Sequence, residues 1–598
     1  MSAPGLRART LPVSLPLGAA LLATLALLLL HARAYFFVCD DAYISFRYAR
    51  NLASGAGLVF NPGDAPVEGY TNFLWVLILA AGSALKLAPE SLAPALSLLA
   101  TVALWALVAG YPLRDRPPRG QDWLVVVPPL FLCATRSVAV WSSGGLETRL
   151  FEVLVLAGAL RLAAEVGRLR RGAAPGRPAA ALLLAGACLT RPDGLLVAAS
   201  LFGAALLAVR PRPCRWLLHS ALPLLLLVGA HLAFRLAYYG DLVPNTFHAK
   251  VGGRLWPSMG LAYLGMFALE YGLALWLPFW VAGVRFHRRR GTGHVPLLFA
   301  AAVLPHAAYV VSIGGDHFEY RPLDLSVPFA CLLLYDGARS LAGSPGRSAA
   351  VAAGLLACLV LLVEIPWRSH REFPPSYTPG FPGSEVSKQS QDFLDPARSW
   401  LYGLPGLRPL AELHRRALLL TTGHFVGVRA EEHRVFMEKV LTEARILREL
   451  VRRGTLPPDT HLAIDSVGAI PYYSNLRILD RLGLTDAHVA RSDFYQPELM
   501  GHGKAASLDY ARQKGVDLWA VHPVHLLWKP GDPGLQYHLE PWFEAGTEVH
   551  FAHLGEDYYL LAYLPQGVEQ ARRRFPRLHL KSAFDPVQVQ ELLGPRPR

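Results

Sequence analysis

Charge is scarce in this sequence. Of 598 residues only 17% are charged, 53% are hydrophobic and the mean hydropathy is positive, which excludes an ordinary soluble enzyme. Cysteine is scarce too: the six residues are scattered, with no CxxC pair and no metal-ligand spacing. Neither a disulfide framework nor a zinc site is expected. A G-x-G-x-x-G run is absent, so no dinucleotide cradle is indicated, and no internal repeat is evident. The first apolar run is long, and no convincing small-residue cleavage site stands between it and the acidic pair that follows. Leu11 to Leu30, preceded by Arg7 and Arg9, therefore reads as a retained first helix with the N-terminus in the cytoplasm.

What the chain has instead is Leu- and Ala-rich runs, recurring as far as residue 366 and approaching the ~20 residues that cross a bilayer. A net charge of +13 raises nucleic acid as a partner. The basic residues, however, gather in short loops between apolar runs, which is the positive-inside pattern of a polytopic membrane protein. Four such loops (Arg114 to Arg119, Arg168 to Arg177, Arg210 to Arg215, Arg285 to Arg290) are placed in the cytoplasm. Besides the first helix, spans are expected near 92–112, 122–140, 146–164, 179–190, 194–210, 216–237, 259–284, 295–313, 323–340 and 348–366, eleven in all. The apolar run Phe73 to Leu87 is short for a crossing and would put the Arg114 loop outside, so it reads as juxtamembrane or re-entrant.

This topology places four polar turns on one external face. They are Trp141 to Thr148 with Glu147, Leu189 to Gly194 with Arg191 and Asp193, Tyr238 to Lys250 with Asn245 and His248, and Gly314 to Pro322 with Asp316 and Arg321. Pro, Gly and Asn supply turn dihedrals in each, so plain turn chemistry is the bland alternative. Charges at a membrane boundary usually pair or serve a site. Arg191, Arg235, Lys250 and Arg321 are candidates to bind an anionic headgroup, whereas Arg149 with Glu147 reads as a structural ion pair. His306 reads as a packing or helix–helix polar contact.

The densest signal follows the first helix: Asp40-Asp41-Ala42-Tyr43-Ile44-Ser45-Phe46-Arg47-Tyr48-Ala49-Arg50, closed by Ser54-Gly55-Ala56-Gly57 and continuing to Val67-Glu68-Gly69-Tyr70-Thr71-Asn72. Its pattern is a short amphipathic helix with a glycine stop, and either acid would serve as its N-cap. The segment, with Gly57-Leu58-Val59-Phe60-Asn61, closely resembles the first external loop of the GT-C membrane glycosyltransferases. Within them it is most similar to the mycobacterial terminal arabinofuranosyltransferases that use decaprenyl-phosphoryl-arabinose. In that family the paired acids carry the catalytic base.

The resemblance implies a polytopic α-helical GT-C module over residues 1–366, with an external acidic loop at 31–71, in the inner (cytoplasmic) membrane. It further implies inverting transfer of arabinofuranose or a related pentose from a polyprenyl-phosphoryl donor to an envelope polysaccharide or glycolipid outside the cytoplasm. Asp40 or Asp41 would be the base. Arg47, Glu68, Tyr70, Asn72, Glu147, Arg191, Asp193, Asn245, His248, Lys250, Asp316 and Arg321 would bind donor phosphate or sugar, with Arg47, Arg191, His248, Lys250 and Arg321 facing the phosphate. Two carboxylates so close split their proton affinities. They would accept a divalent cation, and equally work without one; no other cofactor and no nucleic acid are called for.

Beyond residue 366 the character changes. Residues 367–406 read as a Pro-, Ser- and Gly-rich surface linker. Residues 407–598 read as an α/β domain outside the cytoplasm, with a helix over 431–453, strands near 461–465, 476–480, 517–521 and 558–563, and a helix over 507–514. Asp465, His502 and Lys504 in its polar turns are the candidates for acceptor binding, again on resemblance. Two other classes fit membrane-boundary charge: a carrier and an envelope-glycan binding protein anchored by its helices. The one-sided polar motifs speak against the first, and eleven spans against the second.

Overall fold

The computed structural model describes residues 14–114, 123–174, 176–209, 214–251, 255–343, 345–362, 406, 409, 430–493, 502–532, 534–555 and 558–593. The expected linker 367–406 lies outside them except for Gly406. The chain forms two compact units that interleave along the sequence: 1–36, 94–230 and 256–431 in the first, 37–93, 231–255 and 432–598 in the second.

The first unit is helical. Its packing shows why small residues recur: a Cβ on Gly337 would stand 1.9 Å from the carbonyl oxygen of Phe279, and one on Gly283 would stand 2.5 Å from that of Leu333. Helices Leu273–Arg289 and Ser326–Ala342 thus meet backbone to backbone, as in membrane interiors where packing replaces the hydrophobic effect. Among the described residues, four helices are long and apolar enough to cross a membrane: Leu15–Ala34, Pro89–Gly110, Ser220–Tyr239 and His294–Ser312. A fifth forms if Pro257–Ala268 and Leu273–Arg289, bent by 81°, are one span.

Length alone therefore does not reach the eleven spans expected from charge. The region 122–140 breaks into Trp123–Val126, Val127–Ala134 and Arg136–Val140 around Pro128 and Pro129. Ala179–Thr190 and Gly194–Ala208 are 12 and 15 residues long, about 18 and 22 Å at the helical rise. Phe73–Ala84 is also 12 residues long.

The second unit carries a seven-stranded mixed sheet: β1 His461–Ile464, β2 Arg477–Asp480, β3 Leu518–Ala520, β4 Leu527–Trp528, β5 Val549–His553, β6 Tyr559–Tyr563 and β7 Lys581–Ser582. The order is β2-β1-β3-β6-β5-β7, with β4 also on β6. β1 is parallel to both β2 and β3, in registers Ile464↔Asp480 and Ala463↔Trp519, while the β6 and β5 pairings are antiparallel. Every residue of β1 is buried, as a central parallel strand demands. Four strands fall where the sequence pattern puts them; β4 and β7, two residues each, and β5, polar at His550 and His553, do not announce themselves. The expected helices are Ala430–Arg452 and Leu508–Gln513.

In the same unit, the Asp40–Ala53 helix opens with its two acids in the first turn, where the helix dipole favours negative charge. It ends as the Ser-Gly stop implies. Gly55 takes φ +85°, its amide bonds Leu52 O at 3.1 Å and that of Ala56 bonds Asn51 O at 2.9 Å, closing a Schellman turn.

Candidate active site

One stripe of the Asp40–Ala53 helix, spaced 3, 4 and 3 residues apart, faces the segment 466–476 just after β1. Asp40 accepts from the amides of Ala469 at 2.8 Å and Gly468 at 3.1 Å, one to each oxygen of the carboxylate when the closer contacts are taken, and lies 3.5 Å from Ser466 Oγ. Tyr43 packs on Tyr472 and Tyr473. Arg47 donates to Pro471 O at 2.8 Å and Leu476 O at 3.0 Å, and Arg50 to Tyr472 O at 2.7 Å and Asn475 at 2.6 Å.

Burial pushes the Asp40 carboxyl up to about 6; the amide of Ala469 holds it back and the charge of Asp41 adds to the rise. Its neighbour is placed differently. Asp41, 28% exposed at its side chain, stands 3.7 Å from Lys250 Nζ, itself 31% exposed.

The remaining predicted residues of this unit are engaged in holding it together. Arg47 is 2% exposed and also donates to Phe60 O at 2.7 Å and Asn61 at 3.2 Å, so its guanidinium is spent on the unit's own acceptors and not presented to a phosphate. Glu68 pairs with Arg235 at 2.7 Å; burial still pushes it up to about 7 against that cation. Tyr70 shares a hydrogen bond with Tyr239 at 3.1 Å, and Asn72 accepts from Ser45 at 3.1 Å. Asn245 donates to Gly483 O and Leu484 O, at 2.7 and 3.0 Å. His248 bonds Asp241 at 2.8 Å, and Asp241 also pairs with Arg491 at 2.7 Å.

Of the acceptor candidates, Asp465 pairs with Arg481 at 3.0 Å, and the buried Lys504 donates to Ser492 O; His502 is half-buried. These placements give Asp465 and Lys504 intramolecular work where acceptor contact is expected.

The first unit gathers its own predicted residues. Arg191 meets Asp193 at 3.0 Å and Glu147 at 3.4 Å, and Asp193 also bonds His306 at 2.8 Å. Arg321 pairs with Asp316 at 2.8 Å. Each guanidinium is thus matched by carboxylate. The expected Arg149–Glu147 pair is corrected: Arg149, on the helix starting at Thr148, turns to Glu152 and Asp324, while Glu147, one residue before that helix, turns to Arg191. Arg136 pairs with Glu319. Among the described residues, no group of three or more His, Cys, Asp or Glu is disposed to hold a metal ion.

The residues that sequence reasoning passed over are Ser466, Gly468 and Ala469. A strand end followed by Asp-Ser-x-Gly and a short helix is the trace they leave, and without a nucleotide spacing it reads as a loop.

With this geometry in view, comparison with solved structures decides the fold. ArnT from Cupriavidus metallidurans superimposes in its apo state with a TM-score of 0.50 at 12% identity, covering 92% of this chain and 98% of that one. The same protein bound to undecaprenyl phosphate gives 0.51 at 13% identity, covering 92% and 99%. The fold is that of ArnT, a GT-C fold.

By sequence, the chain is similar to the terminal β-(1→2)-arabinofuranosyltransferase of Corynebacterium glutamicum, 28% identical over 356 residues, 50% of this chain and 47% of that protein. It is also similar to the protein of that name from Mycobacterium tuberculosis, 32% identical over 263 residues, 40% and 39% of the two chains. The matched stretches span less than half of either relative. A family model described as a domain of unknown function (DUF8728) matches residues 433–573, which include the whole of the Asp40 seat. A membrane protein with the GT-C fold follows from the fold and its apolar helices.

Proposed function

We propose that the protein is a membrane glycosyltransferase that moves a sugar, an arabinofuranose or related pentose, from a polyprenyl-phosphoryl donor to an envelope glycan outside the cytoplasm, with Asp41 as the base. The reading is supported by the ArnT fold and by two relatives named for arabinofuranosyl transfer. The observation that carries it is the asymmetry of the acidic pair: Asp40 is seated on two backbone amides, and Asp41 stands part-exposed beside a lysine.

The chemistry needs little more. An acceptor hydroxyl attacks the anomeric carbon as the bond to the phosphate oxygen breaks, through a transition state with oxocarbenium character, and the configuration inverts. Asp41 takes the hydroxyl proton as the new glycosidic bond forms. Lys250, within reach of Asp41, supplies a point charge for an anionic phosphate. Its 3.7 Å contact with Asp41 is long for a tight salt bridge, so it can exchange partners at small cost. Arg47 is left out of this assignment because its donors are committed to carbonyl groups. Arg191 and Arg321, each matched by carboxylate, are assigned to ordering the loops of their own unit.

The test is donor consumption. Membranes holding wild type, Asp41→Asn or Asp40→Asn are given a panel of radiolabelled polyprenyl-phosphoryl sugars. Wild type is expected to consume one of them and release polyprenyl phosphate, and Asp41→Asn to lose about 10²–10⁴-fold in rate, as removal of a general base does. Full transfer by Asp41→Asn removes the base assignment. Failure of wild type to consume any donor removes the transferase reading.

A further inference from the structure

We infer that the turn Ser466–Ala469, at the carboxyl end of β1, is the positioning element of the acidic pair: it grips Asp40 and thereby aims Asp41. The inference rests on the transferase reading for its kinetic consequence, while the grip itself stands on geometry alone.

The topology prepares the place. β1 lies between two parallel neighbours, β2 on one side and β3 on the other. The chain leaving β1 goes to one flank and later returns to the opposite one, so the loops beyond the carboxyl ends of β1 and β3 part. In open α/β sheets such a switch point is where ligands bind. Here a carboxylate of the chain itself, Asp40, fills the loop after β1.

Gly468 is what lets it in. A Cβ at this position would stand 2.0 Å from the backbone oxygen of Asp40 and 2.5 Å from its Oδ1, closer than any side chain tolerates. Two successive amides then meet the two carboxylate oxygens. A carboxylate held at both oxygens by charge-assisted hydrogen bonds has one orientation left.

The grip passes to Asp41 through the helix. Asp40, Tyr43, Arg47 and Arg50 form one stripe, and every one of them contacts residues 468–476. That fixes the roll of the helix about its axis. Asp41 is one residue on, about 100° around the helix, so the stripe that faces the turn turns Asp41 away from it, toward Lys250. Proton transfer is sensitive to such aim, since a misplacement of about 1 Å can cost on the order of 10²-fold in rate. Gly468 is therefore a positioning residue and touches no reacting atom.

The experiment uses the full chain in lipid nanodiscs and has two readouts. Hydrogen exchange of the Gly468 and Ala469 amides is compared between wild type and Asp40→Ala; slow exchange in wild type and at least about tenfold faster exchange in the variant are expected, because their acceptor is gone. Gly468→Ala is then assayed on the donor that wild type consumes. A fall in kcat of about 10–100-fold with donor KM within about twofold is expected, the pattern of a lost transition-state interaction.

Equal exchange in wild type and Asp40→Ala overturns the grip. A Gly468→Ala protein with wild-type kcat overturns the aiming. If Gly468→Ala does not fold, Asp40→Asn decides in its place: its carboxamide offers one oxygen and one donor to two amides, so unchanged kcat again overturns the inference. Should wild type consume no polyprenyl-phosphoryl sugar, the transferase reading falls, and the exchange comparison still decides the grip.

Discussion

Asp40 and Gly468 stand 428 positions apart in the chain, yet the amide of Gly468 donates to Asp40 Oδ2 at 3.1 Å. That bond joins the acid-bearing helix to the sheet whose first strand ends at Ile464. It also separates two adjacent carboxylates that look equivalent in sequence. One accepts from two backbone amides, and the other, 3.7 Å from Lys250 Nζ, is the one assigned as base in the proposed reaction.

The raised Asp40 carboxyl makes stability depend on pH. Burial lifts it from the usual 3.8 to about 6 in the folded chain, so between those values the folded state binds more protons than the unfolded one. Stability then falls as pH rises from about 4 to about 6 and levels off above. Asp40→Asn carries no titrating group there. Its melting temperature relative to wild type should therefore climb across that window, and thermal unfolding in detergent at a series of pH values measures it. A constant difference from pH 4 to 7 would show that Asp40 titrates as in an exposed carboxyl.

Arg47 should matter for stability well before it matters for phosphate. Its guanidinium serves Phe60 O, Pro471 O, Leu476 O and Asn61 while 2% exposed. Arg47→Met would strand several buried acceptors at about 1–3 kcal/mol each. The expected outcome is a drop in melting temperature of several degrees, with donor KM unchanged in whatever protein remains folded. A raised KM at unaltered stability would return Arg47 to the phosphate site.

How much of this was legible in the sequence depends on how local each signal is. The Asp40–Ala53 helix, its glycine stop and the buried β1 follow from neighbours a few residues apart, so pattern reveals them. The seat of Asp40 does not, because its amides come from residues 468 and 469, and a backbone donor leaves no mark in the residue types. Arg47 on an amphipathic helix reads as a charge seeking an anion; two of the carbonyls that absorb it, Pro471 O and Leu476 O, lie more than four hundred positions away. The pairing of Arg149 went to Glu152 and Asp324 for a related reason. Asp324 is contributed by a distant segment that no local spacing could nominate. Span counting by charge fared differently again, since prolines and glycines cut several apolar stretches into helices shorter than a bilayer.

The Arg149 cluster yields the prediction with the clearest internal control. Arg149 is fully buried on the Thr148–Leu169 helix, donates to Glu152 and Asp324, and lies 3.3 Å from Ser137 O. Removing the cation alone leaves two buried carboxylates without their counter-charge, a loss of about 3–5 kcal/mol for a broken buried pair. Replacing all three charged groups by apolar residues of similar volume removes the charges together and is often neutral or stabilising. Arg149→Met should therefore melt well below wild type, and the triple variant Arg149→Met with Glu152→Leu and Asp324→Leu should recover most of the loss. Thermal unfolding of the purified proteins in one detergent ranks the three. If the triple variant melts lower than Arg149→Met, the cluster is worth more than its charges and holds the Thr148–Leu169 helix by packing that the apolar side chains fail to reproduce.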